Sequence, residues 1–406
     1  MRRRKWFVAG LAACVWSLAM ATGNDAQQPG HEQLHRMVGH LAKPERSDFS
    51  EDLLSLLLLP DGFEINVFAR GLGNPRMLAV GGDGAVYVTR REQNDVIVLV
   101  DRDGDGRSDS TRTVLPNLKG AHGIAVNNDQ LYICTDTKLH RAELRSDGSA
   151  GTPKLLIERL PDGGQHPNRT LGFGPDGMLY ISVGSSCNAC DESNEEHATM
   201  LRVRPDGSQR AIYARGLRNT IGFAWHPQTR ELWGMDNGSD WRGDDTPPEE
   251  LNRIVEGGDY GWPFCYGDRV VDRYLNAEPK GMTREQYCAR TLPPVLSYEA
   301  HSAPLNLVFY NAGQFPAEYQ NDAFVTMRGS WNRNPPVGYK IVRIRFQNGR
   351  PERVEDFLTG FLFDEGQSYF GRPAGMAIAR DGSLLFSDDT NGVIYRIAYR
   401  EARARR

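Results

Sequence analysis

The sequence predicts an all-β fold, a six-bladed β-propeller, from three observations. Glycine contributes 43 of the 406 residues without any low-complexity run, which indicates many tight turns between short strands. A unit made of a polar turn, an apolar run, an Asp-Gly-type turn and a second apolar run recurs six times after residue 62. No long segment of helical periodicity separates the copies, which disfavours a parallel sheet with crossover helices. Short strands repeated in this way are typical of propeller blades.

Residues 1–21 are predicted to be an N-terminal signal peptide rather than part of the fold. A basic start from Arg2 to Lys5 precedes a short apolar run and the cleavage pattern Ala19-Met20-Ala21. Lipoprotein cleavage before Cys14 is the alternative, which the apolar run continuing past that residue disfavours. Cleavage removes four cations and changes the formal charge from −4 to −8, which argues against nucleic-acid binding. We expect an exported protein, periplasmic in a Gram-negative source, without a transmembrane segment.

Four further regions follow the signal peptide. Residues 22–61 read as a linker with a short helix in the Leu-rich stretch 50–59, and residues 62–400 as the propeller. A polar insertion interrupts the repeat at about 262–300, and 401–406 form a basic tail. The early strand Phe63–Phe68 is predicted to complete the sheet of the last blade, because such a closure hides the edges of both.

The six copies of the repeat each begin with a polar turn and contain a second apolar run. The turns are Asn74-Pro75-Arg76, Ala121-His122-Gly123, His166-Pro167-Asn168-Arg169, Arg218-Asn219, Ser302-Ala303-Pro304 and Gly371-Arg372-Pro373. The second runs are Ala85–Val88, Leu131–Ile133, Met178–Ile181, Leu232–Trp233, Ala323–Val325 and Leu384–Ser387.

Equivalent turns of a propeller converge on one mouth of its central tunnel. The turns supply Arg76, His122, His166, Arg169, Arg218, Asn219 and Arg372, and the ends of the second strands supply Arg90, Arg91, Asp236, Asn237, Arg328 and Asp389. Two cations about 4 Å apart repel by roughly 4 kcal/mol at an effective dielectric constant of ~20, so a bound anion would stabilise such a ring. Arginine favours bidentate recognition of carboxylate or phosphate. The alternative is that each arginine pairs with a nearby acid, such as Asp236 or Asp389, and ties blades together.

Two acidic segments are candidate cation sites. Carboxylates mixed with glycine suit a hard cation, calcium above all outside the cytoplasm, and a solvated acidic loop is the alternative. The candidate ligands of the first segment are Asn237, Gly238, Ser239, Asp240, Asp244, Asp245, Glu249 and Glu250. The second segment, Asp101–Asp109, has oxygens at calcium-loop positions 1, 3, 5 and 9 but Arg112 at position 12, so a weak site and a polar hairpin turn are equally supported.

Five cysteines follow the signal peptide, in an exported chain that permits disulfides. Cys187-x-x-Cys190 lacks the following His of a haem site, and only His197 lies near enough to assist zinc, so a local disulfide is predicted. Cys265 and Cys288 bracket the insertion and are expected to pair, whereas Cys134 ends an apolar run and reads as a buried free thiol.

His166 is the candidate general base. It lies at the tunnel-mouth phase of the repeat in Gly163-Gly164-Gln165-His166, among several arginines. Nearby cations disfavour the imidazolium form, so this side chain is expected to be neutral and able to accept a proton. His140, His197 and His226 carry no such context.

Several segments in order resemble the soluble quinoprotein glucose and sorbosone dehydrogenases over roughly 62–398. They are Gly163–His166, Phe173–Gly184, Gly216–Asn219, Glu249–Asn252 and Gly258–Pro263, together with Ala300–Pro304, Gly329–Arg333 and Gly371–Gly375, which are closer to the sorbosone branch. The resemblance implies a six-bladed propeller that binds pyrroloquinoline quinone (PQQ) and calcium and oxidises the anomeric carbon of a sugar. PQQ is a flat tricarboxylate, which matches the anion that the arginine ring requires.

The resemblance also implies roles for particular residues. The family's base falls on His166, its catalytic Arg-Asn pair on Arg218 and Asn219, and its calcium-binding carbonyls on Asn237–Ser239. The cofactor-binding set then consists of Arg76, Arg90, Arg169, Asn219, Arg328, Arg333 and Arg372, where Arg328 and Arg333 substitute for a family lysine without a counterpart. Gln165 replaces the Asp that precedes the base in the glucose enzymes, which leaves the identity of the sugar open.

The sequence therefore predicts an exported PQQ-dependent dehydrogenase acting on a small sugar, with electrons passing to a soluble acceptor such as a c-type cytochrome. A calcium-dependent lactonase is one alternative, since six-bladed propellers host both activities, but it would need an acidic metal cage rather than arginines. A non-catalytic propeller that binds glycan or protein is the other.

Overall fold

A computed structural model describes residues 38–400 of the chain. The predicted signal peptide, the first part of the linker and the basic tail lie outside the described residues. Within residues 38–400, the only α-helix has five residues, so the prediction of an all-β chain is confirmed. No helix in this range is long and apolar enough to cross a membrane.

Six sheets, named I to VI here, follow one another along the chain. The described part of the chain begins with β1 (Glu45–Arg46), a 3-10 helix (Glu51–Leu56) and β2 (Phe63–Ala69). Sheet I contains β3 (Pro75–Val80), β4 (Val86–Arg90), β5 (Asp95–Val100) and β6 (Ser110–Leu115). Sheet II contains β7 (Ile124–Asn127), β8 (Gln130–Cys134), β9 (Leu139–Glu143) and β10 (Lys154–Ile157). Sheet III contains β11 (Leu171–Phe173), β12 (Leu179–Val183), β13 (Thr199–Val203) and β14 (Ala211–Arg215).

Sheet IV is interrupted by the insertion. It contains β15 (Thr220–Trp225), β16 (Leu232–Asp236) and β17 (Glu249–Ile254), after which come β18 (Gly258–Asp259), β19 (Cys265–Tyr266), β20 (Val270–Val271) and α1 (Arg284–Cys288). The short β18 adds to the edge of sheet III, and β19 pairs with β20. The chain then returns to sheet IV as β21 (Leu296–Tyr298), which pairs with β17. The predicted insertion at 262–300 therefore extends too far, because its last residues form a strand of the sheet.

The last two sheets complete the series. Sheet V contains β22 (Pro304–Phe309), a 3-10 turn (Ala317–Tyr319), β23 (Ala323–Met327), β24 (Lys340–Gln347) and β25 (Arg350–Leu358). A small sheet of β26 (Leu362–Phe363), β27 (Ser368–Tyr369) and β1 surrounds the 3-10 turn Asp364–Gly366. Sheet VI contains β28 (Pro373–Ile378), β29 (Leu384–Asp388) and β30 (Val393–Tyr399).

The first hairpins of three sheets share one turn chemistry. Asp83, Asp176 and Asp381 each accept a hydrogen bond from the backbone N–H two residues later, at 2.9–3.1 Å. The glycine that follows each aspartate has a positive φ, between 74° and 92°, which other residues rarely adopt. The Asp-Gly pattern read from the sequence thus encodes the turn directly.

The first strands of the six sheets contact one another around a closed ring. Glycines sit where neighbouring first strands come closest. A Cβ atom at Gly375 would lie 2.8 Å from Met77 Cα, and one at Gly222 would lie 2.7 Å from the Asn306 carbonyl carbon. These positions therefore exclude any side chain.

Hydroxyl side chains of the second strands connect neighbouring sheets at three junctions of the ring. Thr89 Oγ1 donates to the His122 carbonyl at 2.8 Å, and Thr326 Oγ1 donates to the Ala374 carbonyl at 2.6 Å. Ser387 Oγ donates to the Arg76 carbonyl, also at 2.6 Å, and joins sheet VI to sheet I. All three hydroxyl residues are fully buried, so these bonds satisfy polar groups that water does not reach.

The N-terminal strand β2 closes the ring by pairing antiparallel with β30, from Phe63 opposite Tyr399 to Val67 opposite Tyr395. The predicted completion of the last sheet by Phe63–Phe68 is confirmed. Apolar side chains between sheets V and VI form a core that includes Phe63, Phe324 and Phe386. Sheet VI consequently joins the two ends of the described chain.

We predict that Gly375→Ala lowers the melting temperature, because the new methyl group would meet backbone of sheet I on one side and cannot be relieved by a rotamer change. Overpacking of this kind costs about 1–3 kcal/mol. Gly82→Ala is the matched control, since a Cβ there meets no atom within 4 Å. Thermal unfolding of both variants, followed by circular dichroism, tests this; equal melting temperatures would contradict the close approach of the first strands.

Candidate active site

A cavity of about 160 Å³ opens where the first strands of sheets III, IV and V begin. It brings together seven of the residues predicted from the sequence: His166, Arg218, Asn219, Asn237, Gly238, Asp240 and Glu249. His301, Ala303, Trp331 and Asn332 complete its lining. A larger cavity of about 430 Å³ lies between sheets VI and I; its lining includes Asp101 and Gly104 of the second acidic segment but none of the predicted catalytic or cofactor-binding residues. We therefore take the smaller cavity, where basic, acidic and imidazole groups converge, as the candidate active site.

His166 is held through one ring nitrogen. Its Nδ1 lies 3.0 Å from the Ser185 carbonyl oxygen and 2.9 Å from Ser185 Oγ. Ser185 Oγ donates its own hydrogen to the Cys187 carbonyl at 2.6 Å, so both Ser185 oxygens act as acceptors towards the imidazole. The hydrogen of a neutral ring therefore resides on Nδ1, which leaves the lone pair of Nε2 free to accept a proton.

The environment of His166 opposes protonation. Burial, followed by the positive charge of Arg218, lowers the pKa of His166 to about 3. The imidazole is consequently neutral over the pH range in which most enzymes work, as the sequence analysis predicted for this position.

Arg218 is buried beside His166 and is held by a fixed set of acceptors. Its Nε donates to the Asn188 carbonyl at 2.9 Å, and Nη2 donates to Asn188 Oδ1 at 2.8 Å and to Asp240 Oδ2 at 3.2 Å. Nη1 donates to the Asn237 carbonyl at 3.1 Å. Among the residues that the structure describes, acceptors are thus identified for four of its five N–H groups, and one N–H of Nη1 is left for a group bound in the cavity.

The carboxylate of Asp236 accepts hydrogen bonds from the turn that carries Arg218 and Asn219. It accepts the backbone N–H groups of Arg218 and Asn219 at 2.9 and 2.8 Å, and the Thr220 hydroxyl at 2.7 Å. Burial nevertheless raises the pKa of Asp236 to about 6. This carboxylate orders the turn that carries the pair and is directed at backbone rather than at the cavity.

The predicted calcium ligands divide into two groups. Glu249 accepts the N–H groups of Gly238 and Ala303 at 2.9 and 3.0 Å, and Asp240 accepts from Asn332 Nδ2 at 2.8 Å. These two acids line the cavity, and burial raises the pKa of Glu249 to about 7. The remaining acids have other partners.

Asp244, Asp245 and Glu250 do not reach the cavity, unlike the sequence prediction. Asp244 accepts from His40 of the N-terminal segment, and Asp245 is exposed and pairs with Arg333 at 3.1 Å. Glu250 points to a separate space of about 20 Å³ beside Asp236, where burial and that carboxylate raise its pKa to about 8. Glu249 and Glu250 are consecutive residues of β17, and consecutive residues of a strand face opposite sides of the sheet. Glu250 therefore points away from the cavity that Glu249 lines.

The residues that do line the cavity suit a hard cation. Asp240, Glu249 and the carbonyls around Gly238 offer oxygen only, and a Cβ at Gly238 would lie 3.1 Å from the carbonyl oxygens of Pro247 and Pro248. Oxygen donors of mixed charge are the preferred ligands of calcium. Ser239 is turned away, with its hydroxyl 3.3 Å from the Asn188 carbonyl. The donor set fits calcium: Asp240 and Glu249 supply carboxylate oxygens, and backbone carbonyls and a bound cofactor would supply the other ligands.

Several predicted arginines lie along the same end of the ring and share too few acids. Arg76 and Arg328 both pair with Asp389, whose pKa they lower against the effect of burial. The Arg372 guanidinium donates to the carbonyls of Arg328 and Gly329 at 3.0 and 2.6 Å and has no carboxylate partner among the hydrogen bonds of the described residues, whereas the Arg372 backbone N–H donates to Asp388 at 3.0 Å. Three guanidinium groups thus share one ionised carboxylate. The excess positive charge fits a polycarboxylate such as PQQ.

Three other arginines are tied to local groups. Arg169 is fully buried and donates to the carbonyls of His166 and Asp162 at 2.7 Å each. Arg90 forms a two-pronged pair with Asp95 at 2.8 and 2.5 Å, and Arg333 contacts Asp245 and Glu299. Their guanidinium groups serve the structure of the loops, which is the alternative that the sequence analysis kept open for each arginine.

The cysteine predictions are confirmed. Cys187 pairs with Cys190, Cys265 pairs with Cys288, and Cys134 is a buried free thiol. Glu192, which lies near the first disulfide, accepts from Ser186 and contacts His197 Nδ1 at 3.0 Å. A disulfide has no thiolate to offer, so this cluster does not bind zinc.

The acidic loop 101–109 is the hairpin turn between β5 and β6. Asp101, Asp103 and Asp109 have carboxylate oxygens within 4.8 Å of one another. These acids accept backbone N–H groups of their own loop, such as Asp101 from Gly104 at 2.8 Å. The loop therefore has the conformation of a polar hairpin turn, which its own backbone N–H groups and carboxylates stabilise.

Sequence reasoning did not assign two polar residues of the cavity lining or two residues that lie behind the cavity. His301 and Asn332 line the cavity and contact each other at 3.4 Å. Both lie in segments that carry the family resemblance, which was a usable signal. Ser185 and Asn188 hold His166 and Arg218, but Asn188 lies inside the Cys-x-x-Cys segment, which was interpreted only as a disulfide.

A family model described as TrAA12-like matches residues 57–400. The chain therefore belongs to the TrAA12-like family, and the resemblance predicted from the sequence is confirmed.

Three known proteins illustrate the relationship. The pyrroloquinoline quinone-dependent sugar dehydrogenase of Hypocrea jecorina is 24% identical over 399 residues, covering 82% of this chain and 87% of the relative. The calcium structure of Trichoderma reesei Carbohydrate-Active Enzymes Family AA12 has a TM-score of 0.74 at 24% identity, over 84% of this chain and 96% of that chain. The holo form of the pyranose dehydrogenase PQQ domain from Coprinopsis cinerea has a TM-score of 0.73 at 21% identity, over 87% and 98%. At these identities the two structures show a shared fold.

We predict that Arg372→Ala lowers the melting temperature of the cofactor-free protein, because its guanidinium joins sheet VI to two carbonyls of the sheet V loop. Loss of a hydrogen bond from a charged donor costs about 1.5–3 kcal/mol. Arg353→Ala, at a side chain that is 53% exposed, is the control. An unchanged melting temperature for Arg372→Ala, together with weakened PQQ binding, would instead support the cofactor role predicted from the sequence.

A second prediction concerns Asp388, whose pKa burial raises to about 7. An Asp side chain in the unfolded chain has a pKa of about 3.9. Between about pH 4 and 7 the folded state therefore holds a proton on Asp388 that the unfolded state has lost, and the stability of the wild-type protein falls as pH rises through this range. Asp388→Asn does not titrate, so its stability relative to wild type should increase across that window. Urea midpoints measured from pH 4 to 8 test this, with exposed Asp48→Asn as control; parallel profiles would disprove the raised pKa.

Proposed function

We propose that this protein is a PQQ- and calcium-dependent dehydrogenase that oxidises the anomeric carbon of a sugar. One observation carries the proposal: a neutral imidazole with a free Nε2 and a buried, oriented guanidinium face the same cavity as a set of oxygen donors. Membership of the TrAA12-like family supports it, since the named relative from Hypocrea jecorina is a PQQ-dependent sugar dehydrogenase. The six sheets correspond to the six blades of the propeller.

His166 is assigned the role of general base. Its Nε2 accepts the proton of the anomeric hydroxyl, while Nδ1 remains bonded to Ser185. The low pKa of the free imidazole means that the base is available without competition from bulk protons. A positioned base of this kind contributes about 10²–10⁴-fold to the rate.

Arg218 and Asn219 are assigned to binding and charge stabilisation. Arg218 lines the cavity, one N–H of its Nη1 has no acceptor among the described residues, and its other guanidinium contacts are fixed, so no reorganisation is needed when charge develops. Asp240, Glu249 and the carbonyls near Gly238 would hold calcium, and Arg76, Arg328 and Arg372 would attract the carboxylates of the cofactor. Bound PQQ supplies the two-electron acceptor, and calcium polarises it.

The setting of the enzyme is proposed from the sequence and the disulfides. A signal-peptide-like N-terminus and two disulfides support an exported protein. Electrons stored on the cofactor would leave to a soluble acceptor, for which a c-type cytochrome is the candidate.

Reconstitution tests the proposal directly. Purified apoprotein is titrated with PQQ in the presence of calcium, and its absorbance spectrum is recorded before and after addition of aldoses. We expect saturable PQQ binding that calcium promotes and bleaching of the quinone band by at least one sugar. Hydrolysis of lactones without PQQ would support the lactonase alternative, and glycan or protein binding without either activity would support a non-catalytic propeller.

We predict that His166→Ala retains PQQ binding and loses about 10²–10⁴-fold in kcat with the best sugar. The loss follows because no other imidazole of the described cavity has its Nε2 free: His301 Nε2 lies 2.8 Å from the Gly243 carbonyl. His140→Ala in sheet II is the control and should leave kcat unchanged. Wild-type turnover in His166→Ala would remove this residue from the mechanism.

A further inference from the structure

The segment Ser185–Cys190 forms a short loop, closed by the Cys187–Cys190 disulfide, directly behind the candidate active site. None of its residues lines the cavity. It contacts both residues to which chemistry was assigned, His166 and Arg218, through different atoms. The loop therefore lies where it can set the orientation of both at once.

Asn188 makes both of the loop's contacts with the Arg218 guanidinium, while the Ser185 N–H donates to the Arg218 backbone carbonyl at 2.8 Å. The backbone carbonyl of Asn188 accepts from Nε at 2.9 Å, and its side-chain Oδ1 accepts from Nη2 at 2.8 Å. Two acceptors from one residue grip one edge of the guanidinium, which fixes the plane of the group as well as its position. Nη1 lies outside this contact and donates to the carbonyl of Asn237, which lines the cavity together with Arg218.

Asn188 is itself held in place. Its Nδ2 donates to the Asp240 carbonyl at 2.9 Å, and its Oδ1 accepts the Asp240 N–H at 2.8 Å. Trp262 Nε1 and Ser239 Oγ both lie 3.3 Å from its carbonyl oxygen. Asn188 thus joins the loop to the segment that carries the proposed calcium ligands.

The contact with His166 runs through the first residue of the disulfide. The Cys187 carbonyl accepts the Ser185 hydroxyl, and this forces Ser185 Oγ to accept from His166 Nδ1. Gln165 N–H donates to the Ser186 carbonyl at 2.7 Å, and a Cβ at neighbouring Gly164 would lie 2.6 Å from that oxygen. The turn that carries His166 therefore packs against the loop, and Gly164 in that turn has no space for a side chain.

The size of the disulfide loop argues for a local role. In the chain-entropy account, a cross-link stabilises a fold more as the loop that it closes becomes longer. Cys187 and Cys190 are separated by 3 positions, whereas Cys265 and Cys288 are separated by 23. The shorter cross-link restrains few residues, but these are the ones that hold His166 and Arg218.

We propose that the disulfide-closed loop 185–190 is the positioning element of the active site. Asn188 is a positioning residue that fixes the guanidinium plane of Arg218, and the Cys187 carbonyl selects the His166 tautomer with a free Nε2. The inference rests on the proposed function for its kinetic consequences, but the geometry of Arg218 can be tested without turnover.

The first experiment replaces Asn188. Asn188→Ala removes Oδ1 and should lower kcat about 10–100-fold, as expected for a misplaced catalytic group, with little change in sugar KM or PQQ affinity. Asn188→Asp keeps an acceptor for Nη2 and should recover part of the lost kcat, which a purely structural role would not predict. Wild-type kcat in Asn188→Ala, measured on an active wild-type preparation, overturns the assignment.

The second experiment compares the two disulfides as matched double variants. Cys187→Ser/Cys190→Ser should lower kcat at least about 10-fold while reducing the melting temperature less than Cys265→Ser/Cys288→Ser does. The latter should retain wild-type kcat per folded, PQQ-loaded molecule, since the insertion disulfide does not touch the site. Equal kcat values for the two double variants overturn the proposal.

A readout independent of activity separates this inference from the proposed function. In ¹⁵N-arginine-labelled apoprotein, the Arg218 Nε–H signal, assigned by its loss in Arg218→Lys, should exchange slowly because its hydrogen is bonded to the Asn188 carbonyl. The exchange should accelerate at least about 10-fold in Cys187→Ser/Cys190→Ser and stay unchanged in Cys265→Ser/Cys288→Ser. If wild type oxidises no sugar after reconstitution, the proposed function fails, and this exchange result alone decides the positioning role; unchanged exchange in both variants refutes it.

Discussion

The first strands of neighbouring sheets approach one another closely, at several junctions to main-chain distance, and the rest of the molecule depends on this approach. Gly375 and Gly222 permit it because any side chain there would collide with the neighbouring strand. The buried hydroxyls of Thr89, Thr326 and Ser387 then bond across three of the junctions to a carbonyl of the next sheet. Because the loops before these strands carry His166, Arg218 and Arg372, the spacing of the ring fixes the distances within the site. A rigid scaffold with functional loops at one end is the usual way in which a fold supports chemistry.

Positive charge is in excess among the ionised side chains at this end of the ring. Asp389 serves two guanidinium groups, Arg372 has backbone acceptors, and Asp388 beside them holds a proton near neutral pH because burial raises its pKa to about 7. A bound polyanion would neutralise the excess positive charge of the arginines. Without such a ligand, the folded state retains the electrostatic repulsion among their guanidinium groups. Binding of such a ligand should therefore stabilise the fold as well as supply chemistry, since any ligand that binds only the folded state shifts unfolding by mass action.

Sequence reasoning located the strands and the convergence of His166, Arg218, Asn219 and the Asn237–Asp240 segment because these follow from the phase of a repeat. It also gave the disulfides, because spacing and context limited the pairings. It did not give the partners of individual charges. Asp244 pairs with His40, which lies 204 positions away, and no local pattern announces such a contact. Asn188 was missed for a related reason, since its importance arises only when the loop folds against Arg218.

The pairing of β2 with β30 sets the order in which the molecule can assemble. Phe63 lies opposite Tyr399, so the sheet that closes the circle cannot form until nearly the whole chain has been synthesised. Until then β2 is an unpaired strand whose backbone groups can bond to any exposed edge, including that of another copy. Joining ends this distant also carries a loop-closure entropy that local hairpins avoid. Sheets I to V can each form from neighbouring sequence, so circularisation is a late event, and a chaperone that shields the N-terminal strand would protect the nascent protein at its most vulnerable point.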